Sequence, residues 1–313
     1  MILDPLNQLN EAKRRTEAAF LAPYRENHRI GCFTITVNAD NHGQYIFERW
    51  NILDRSVELA IDCDISQNNP IVNVINGRHP CPNVVNGQRI TIFLRKPLRD
   101  DAEFHGQPIQ TPISFLEAFS GNGKLIGYTE LPPFGNISEL KVDEREDMFQ
   151  GTALQWAAVS TRHAESMMGM FLAAASLNSP LYIDASNATA MSFFLSGAEA
   201  FNSQLNIRNS GQVTNFSHFL YSAENFNHPI AHIDFLGGTN FAAFIKDAYA
   251  YNQDLSNINI EHARVRICNE FATGSPLEDH WFTTDYPQKI PFTSEEYSAC
   301  HNDNYDSDAF HNN

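Results

Sequence analysis

Three related stretches decide how this chain is organised: "AEAFNSQL" at 198–205, "AENFNHPI" at 223–230 and "AYAYNQDL" at 248–255. Each places alanine, an aromatic residue, asparagine and an aliphatic residue at matching positions, and the copies begin at equal intervals, at Ala198, Ala223 and Ala248. A fixed period of this kind is typical of an array whose units stack on one another. The sequence therefore predicts a repeat architecture in its second half.

Apolar anchor residues extend this period in both directions at nearly equal intervals. Another apolar residue lies four positions before each of the last five anchors, which predicts a short helical turn. A small residue follows each turn and predicts a bend before a short extended piece. These parts predict a leucine-rich-repeat-type solenoid over 143–285. The anchors are Phe149, Phe171, Leu195, Leu220, Ile245 and Phe271; the earlier partners are Met167, Met191, Phe216, Phe241 and Ile267; the bend residues are Ala175, Ala198, Ala223 and Ala248.

In four of these units, an asparagine directly follows the apolar residue that lies six positions after the anchor. Its amide can bond the backbone of its own and the adjacent coil where the chain turns inward. We therefore predict a structural ladder made of Asn178, Asn202, Asn227 and Asn252.

The repeat resembles that of a known family of bacterial surface proteins. "MFLAAASLNSPL", "FLSGAEAFNSQL", "FLYSAENFNHPI" and "FIKDAYAYNQDL" are similar to the repeat of BspA-like leucine-rich repeat proteins, over about 145–280. The resemblance implies surface attachment or partner binding without catalysis. In that family a β-rich module of the polycystic-kidney-disease type often precedes the repeats, and "ERWNILDRS" at 48–56 is weakly similar to it.

The first half of the chain has a different pattern. Residues 1–25 predict a helix, since Asp4 can cap it and Pro5 fits its first turn. Residues 30–105 contain five short segments rich in Val, Ile, Phe and Tyr, which predict a small antiparallel β domain. A junction at 106–142 and a C-terminal cap with a polar tail at 286–313 complete an expected α+β fold.

Composition excludes several classes of protein. The chain is 42% hydrophobic and 19% charged, which is typical of a globular protein. Its net charge of −16 opposes binding to nucleic acid. No apolar run is long enough to predict membrane insertion, and no standard export signal is present, so the cytoplasm is the alternative to the expected virion or cell-surface location. We expect the five cysteines to be free buried thiols, with a Cys63–Cys81 bridge as the alternative.

The sequence predicts no catalytic residues and no cofactor, because it contains none of the common motifs of metalloproteases, hydrolases or nucleotide-binding enzymes. Oxygen-rich runs at 38–43, 62–64 and 301–308 suggest Ca²⁺ as an alternative. Turn formation and a solvated tail are the preferred interpretations of these runs.

Alternation in the extended pieces predicts which side chains face outwards. The outward side chains form a mixed polar and aromatic face, which suits a protein or glycan ligand. The predicted binding residues are Tyr182, Asp184, Gln204, Asn206, Arg208, Ala231, Asp254 and Ser256.

We therefore expect a non-enzymatic recognition or adhesion protein, with attachment from a virion or injection particle as the preferred version. Assembly into a homo-oligomer or particle fits that version. The alternatives are a cytoplasmic or translocated scaffold that binds a host protein, and an enzyme with a site between the two domains.

Overall fold

The computed structural model describes residues 29–37, 58–62, 72–74, 87–95, 113–130, 141–261, 264–278 and 289–292. The predicted N-terminal helix and almost all of the polar tail lie outside these ranges. The strands are β1 (Arg29–Val37), β2 (Glu58–Asp62), β3 (Val72–Val74), β4 (Gln88–Arg95), β5 (Ile113–Ser114), β6 (Leu125–Glu130), β7 (Val142–Glu144), β8 (Trp156–Ala158), β9 (Leu181–Asp184) and β10 (Leu205–Arg208).

Six strands form one sheet in the order β3-β2-β4-β1-β6-β8. β1 lies in its interior, antiparallel to β4 and β6, and Ile35 pairs with Ile90 on one side and Tyr128 on the other. Four of the five segments predicted as strands overlap β1 to β4, whereas the fifth (43–50) and the segment similar to the polycystic-kidney-disease module lie outside the described residues. Parallel pairing of β6 with β8 joins this sheet to the repeats.

The repeats are stacked segments of seven residues, which we call rungs. In each rung but the last, the third, fifth and seventh residues donate their N–H groups to carbonyl oxygens of the next rung, and the first donates to the residue directly before that rung, at 2.7–3.1 Å. Isolated parallel bridges mark the same register, from Glu144 through Ser166, Ala190, Asn215 and Asn240 to Ile267. The rungs are 115–121, 145–151, 167–173, 191–197, 216–222, 241–247 and 268–274.

The expected α+β fold with a leucine-rich-repeat-type solenoid is wrong. No α-helix occurs in the ranges that the structure describes, where the helical element is a three-residue 3-10 turn, Ser210–Gln212. The third and seventh residues of every rung have positive φ, as at Gly169 (58°) and Ala173 (53°). This backbone conformation interrupts a right-handed helix within each rung. The described chain is therefore built from short strands and tight turns.

The inward positions of the rungs form rows of buried residues. Rings stack along one row, with Phe194 and Phe219 5.6 Å apart and Phe219 and Phe244 5.5 Å apart. A second aromatic row follows the rungs, in which Phe226 stacks 5.5 Å from Phe201. Burial of each such side chain stabilises the fold by about 1.5–3 kcal/mol.

The structure corrects two details of the predicted register. Ala174, with no exposure, fills the crowded bend after its rung, whereas the predicted Ala175 is exposed. In the last rung Phe271 stacks on Phe244, so it occupies the fourth position and Ala272 occupies the anchor position. The repeats also begin one rung earlier than predicted, since Phe119 stacks on Phe149 at 5.6 Å.

A buried ion pair lies where the sheet meets the stack. Arg145 occupies the first rung position, which holds apolar residues in the other rungs, and its side chain is fully buried. It lies 2.7 Å from Glu130 at the end of β6 and donates to the Ser160 carbonyl at 2.7 Å. Glu130 also accepts hydrogen bonds from the Tyr128 hydroxyl and the Ser160 N–H. The counter-charge and these hydrogen bonds offset much of the cost of burying the Arg145 guanidinium.

Cys268 is buried and disulfide-bonded. The expectation of free buried thiols is therefore wrong for this residue. Nearby, the backbone N–H of Leu255 donates to the Lys289 carbonyl at 2.7 Å, and the Phe292 ring packs edge-on against Phe271. Residues 289–292 thus contact the last repeats directly.

Candidate binding groove

A groove with a volume of about 830 Å³ crosses the face that β9 and β10 form. Four of the eight residues predicted to bind line it: Tyr182, Asp184, Asn206 and Arg208. The segments 159–162 and 232–234 provide its two flanks. Side chains from four consecutive repeats therefore meet at one concave surface.

The pleat of the two strands explains why these side chains face outwards. Leu181 and Ile183 are buried in β9, and Tyr182 between them is 68% exposed. In β10, Leu205 and Ile207 are buried in the same way. Because the strands are parallel and in register, Tyr182 lies beside Asn206, and Asp184 beside Arg208.

The other four predicted residues do not line the groove. Gln204 is exposed just before β10, and its Nε2 donates to Asn206 Oδ1 at 3.3 Å. Ala231 is exposed beside the groove residue His232. Asp254 and Ser256 lie one repeat further on, where Asp254 Oδ1 accepts the N–H of Ser256 at 2.9 Å and its hydroxyl at 2.7 Å. These hydrogen bonds lower the pKa of Asp254.

Asp184 is the centre of a hydrogen-bond cluster in the groove. Its Oδ2 is 2.9 Å from Arg208, and its Oδ1 accepts hydrogen bonds from the Ser186 hydroxyl and from Asn209 Nδ2 at 3.1 Å. Burial opposes ionisation of this carboxyl, but these hydrogen bonds and the Arg208 charge outweigh burial and lower its pKa to about 2. Asp184 is therefore ionised and held in one position at neutral pH.

The sequence analysis missed the groove residues outside the strands, among them Arg162, Asn209, His232 and Asp234. They follow strands or lie in turns, where strand alternation does not predict the direction of a side chain. His232 Nε2 is 2.9 Å from the Leu205 carbonyl, which can only accept, so this nitrogen carries a proton. In the neutral imidazole, Nδ1 is then an acceptor. Asp234 Oδ1 accepts from Asn259 Nδ2 at 2.8 Å.

The four predicted ladder asparagines form an exposed row beside the buried aromatic residues. The N–H of each later asparagine donates to the side-chain oxygen of the one before it, at 3.0, 3.1 and 3.0 Å. Lys289 Nζ continues the row at its end, 2.8 Å from Asn252 Oδ1. The row thus joins consecutive repeats on the surface.

Within the described ranges, no group of three or more His, Cys, Asp or Glu side chains is arranged to hold a metal ion. Almost all residues of the three oxygen-rich runs suggested for Ca²⁺ lie outside those ranges. No helix long and apolar enough to cross a membrane occurs in the part of the chain that the structure describes.

Comparison with known proteins adds one match. Residues 144–258 match the family model described as "Mycoplasma protein of unknown function, DUF285". No curated protein matches the chain, and no solved structure does. The matched region includes rungs two to six and every groove residue named above. This part of the chain is thus similar to a mycoplasma protein family that is related to BspA-like repeat proteins.

Proposed function

We propose that this chain is a non-enzymatic recognition protein that binds its partner in the groove. One observation carries the proposal: outward side chains of consecutive repeats converge on a single concave surface, with Tyr182 beside Asn206 and Asp184 beside Arg208. An exposed aromatic ring surrounded by a few polar groups of fixed direction is typical of ligand sites.

The rigidity of the groove supports the same function. Asp184, Asn209 and His232 are each held by hydrogen bonds to other protein groups before any partner arrives. Strand pairing also fixes the backbone of Asp184. A partner that binds there therefore loses less free energy in ordering side chains than it would on a flexible surface.

We further propose that the protein acts on a virion or cell surface. The match to a mycoplasma family and the resemblance of the repeats to those of BspA-like surface proteins support this location. The disulfide at Cys268 also supports it, since disulfides persist in oxidising, extracellular environments.

Binding of the labelled full chain to intact candidate target cells tests the recognition function. The test variant is Tyr182→Ala, and the control is Tyr249→Ala, which removes a comparably exposed tyrosine (57%) away from the groove. We expect the control to bind like the wild type and Tyr182→Ala to bind about tenfold more weakly. Equal binding by the two variants, or no binding by the wild type, would contradict the proposal.

The location is tested separately on the native source. An antibody against the folded chain should label unpermeabilised cells or purified particles, and the chain should co-purify with them in many copies. Labelling that appears only after permeabilisation, with the protein free in the soluble fraction, would favour the cytoplasmic scaffold instead.

A further inference from the structure

We infer that the groove is a carbohydrate site that binds a short, neutral oligosaccharide with one sugar ring packed against Tyr182. This inference rests on the proposed recognition function, since it names the ligand class of the same groove. It is carried by the aromatic ring, by the directions of the surrounding polar groups, by the size of the groove and by its charge.

Tyr182 supplies a flat, exposed apolar surface in the groove. Its neighbours Leu181 and Ile183 are buried, whereas its ring is 68% exposed. The other large apolar side chains that are exposed in the described ranges, Leu236 and Tyr249, do not line the groove. A pyranose ring has one face of C–H groups, which can cover an aromatic ring and remove its apolar area from water.

The polar groups around Tyr182 match the hydroxyl groups of a sugar, each of which can donate and accept. Asn206 Oδ1 accepts from Gln204, so its amide N–H groups are available as donors. His232 donates through Nε2 to Leu205, which in the neutral imidazole leaves Nδ1 as an acceptor. Arg208 lies beside Asn206, and its planar guanidinium has donors beyond the one it gives to Asp184.

The size of the groove favours a small ligand over a protein surface. A volume of about 830 Å³ lies within the usual range of small-molecule sites, about 300–1,000 Å³. A stable protein interface needs about 800 Å² on each side, with several apolar anchors at its centre. The groove offers one exposed aromatic ring, with polar residues around it.

The charge of the groove favours a neutral sugar over an acidic one. Its lining contains two arginines, Arg162 and Arg208, and two aspartates, Asp184 and Asp234, so these charges balance. Arg208 is already paired with Asp184. The chain as a whole carries a net charge of −16, which disfavours the approach of an anionic ligand.

A printed array of neutral and sialylated oligosaccharides, probed with the labelled full chain, tests this inference. The wild type should bind a subset of the neutral glycans. Tyr182→Ala should reduce that binding about tenfold, Tyr182→Phe should retain it because the ring is kept, and Tyr249→Ala should leave it unchanged. An excess of the free neutral sugar should compete.

The outcomes separate this inference from the proposed function. Tyr182-dependent binding to cells that survives glycosidase treatment, together with no binding to the array, would overturn the carbohydrate inference and leave recognition standing. Binding to the sialylated glycans alone would overturn the neutral-sugar assignment. Absence of Tyr182-dependent binding to both array and cells would overturn the inference and the proposed function together.

Discussion

Asn227 Oδ1 lies 3.0 Å from the backbone nitrogen of Asn252 and accepts its N–H group. The same oxygen accepts from Gln253 Nε2 at 2.9 Å. Both partners belong to the next repeat, so one exposed side chain fixes the position of its neighbour through an acceptor alone. This row therefore requires an oxygen acceptor in the side chain, and the bulk of the amide group is not what matters.

We expect Asn227→Ala to lower the free energy of unfolding by about 1 kcal/mol, because the Asn252 N–H loses its partner. Asn227→Asp keeps an oxygen at the same place and should retain most of the stability. Urea unfolding of the two variants measures the difference. Equal losses in both would show that the amide oxygen is not the group that matters.

A glycine pair tests the close approach between rungs. Gly169 and Gly151 both have positive φ, but a Cβ on Gly169 would lie 1.9 Å from Asp147 Oδ1, whereas nothing lies within 4 Å of one on Gly151. Gly151→Ala should therefore destabilise by about 1 kcal/mol, from backbone strain alone. Gly169→Ala should destabilise more.

The extra loss of stability in Gly169→Ala is attributable to Asp147 if removal of the Asp147 side chain abolishes that extra loss. In an Asp147→Ala background we expect Gly169→Ala to have nearly the effect of Gly151→Ala, as measured by a double-mutant cycle of thermal unfolding. An excess that persists in this background would locate the clash elsewhere.

The buried pair of Arg145 and Glu130 should show strong coupling. Glu130→Gln leaves the buried guanidinium without its counter-charge, and we expect a loss of about 3–5 kcal/mol. Arg145→Met places in this rung the residue that Met167 and Met191 provide in the next two. The double variant, Arg145→Met with Glu130→Gln, should be more stable than Glu130→Gln alone, measured by chemical denaturation; additive losses would contradict the ion-pair assignment.

Asp147 predicts a pH dependence of stability. Burial, with the nearby charges of Glu117 and Glu146, raises its pKa from 3.8 to about 6. The folded chain therefore holds this proton more tightly than the unfolded chain, so the contribution is present below about pH 4 and is lost as the pH rises to about 6. Asp147→Asn should unfold at a higher temperature than the wild type at pH 7, and the difference should fade towards pH 4.

Much of the stacking was predictable from sequence because the core rows repeat in register. The prediction of a helical turn in each unit was wrong. The first and fifth rung residues, such as Met167 and Phe171, are both buried, and their spacing is the same as the i, i+4 spacing of a helix. A corrective signal exists in the glycines at the seventh rung position, Gly121, Gly151, Gly197 and Gly274, all with positive φ. The first rung was missed because the interval between Phe119 and Phe149 is longer than the intervals between the later anchors.

The groove was predictable only where strands are regular. Alternation in β9 and β10 placed Tyr182, Asp184, Asn206 and Arg208 on the outer face. Asn209 has a φ of 59°, and the chain turns at that point. The alternation of β10 therefore ends before Asn209 and does not predict the direction of its side chain. His232 and Asp234 lie in a repeat whose corresponding segment forms turns and isolated bridges in place of a strand.

Every rung has the same length, although the stretch of chain that connects one rung to the next differs from repeat to repeat. Variation in length is thus confined to the connecting segments, where it does not change which N–H groups of a rung donate to the next repeat. A tandem duplication of one whole unit, such as 216–240, would add four acceptors and four donors together and leave each neighbour bonded. Addition of a whole unit therefore lengthens the stack without leaving a rung donor or acceptor unpaired where the copies meet.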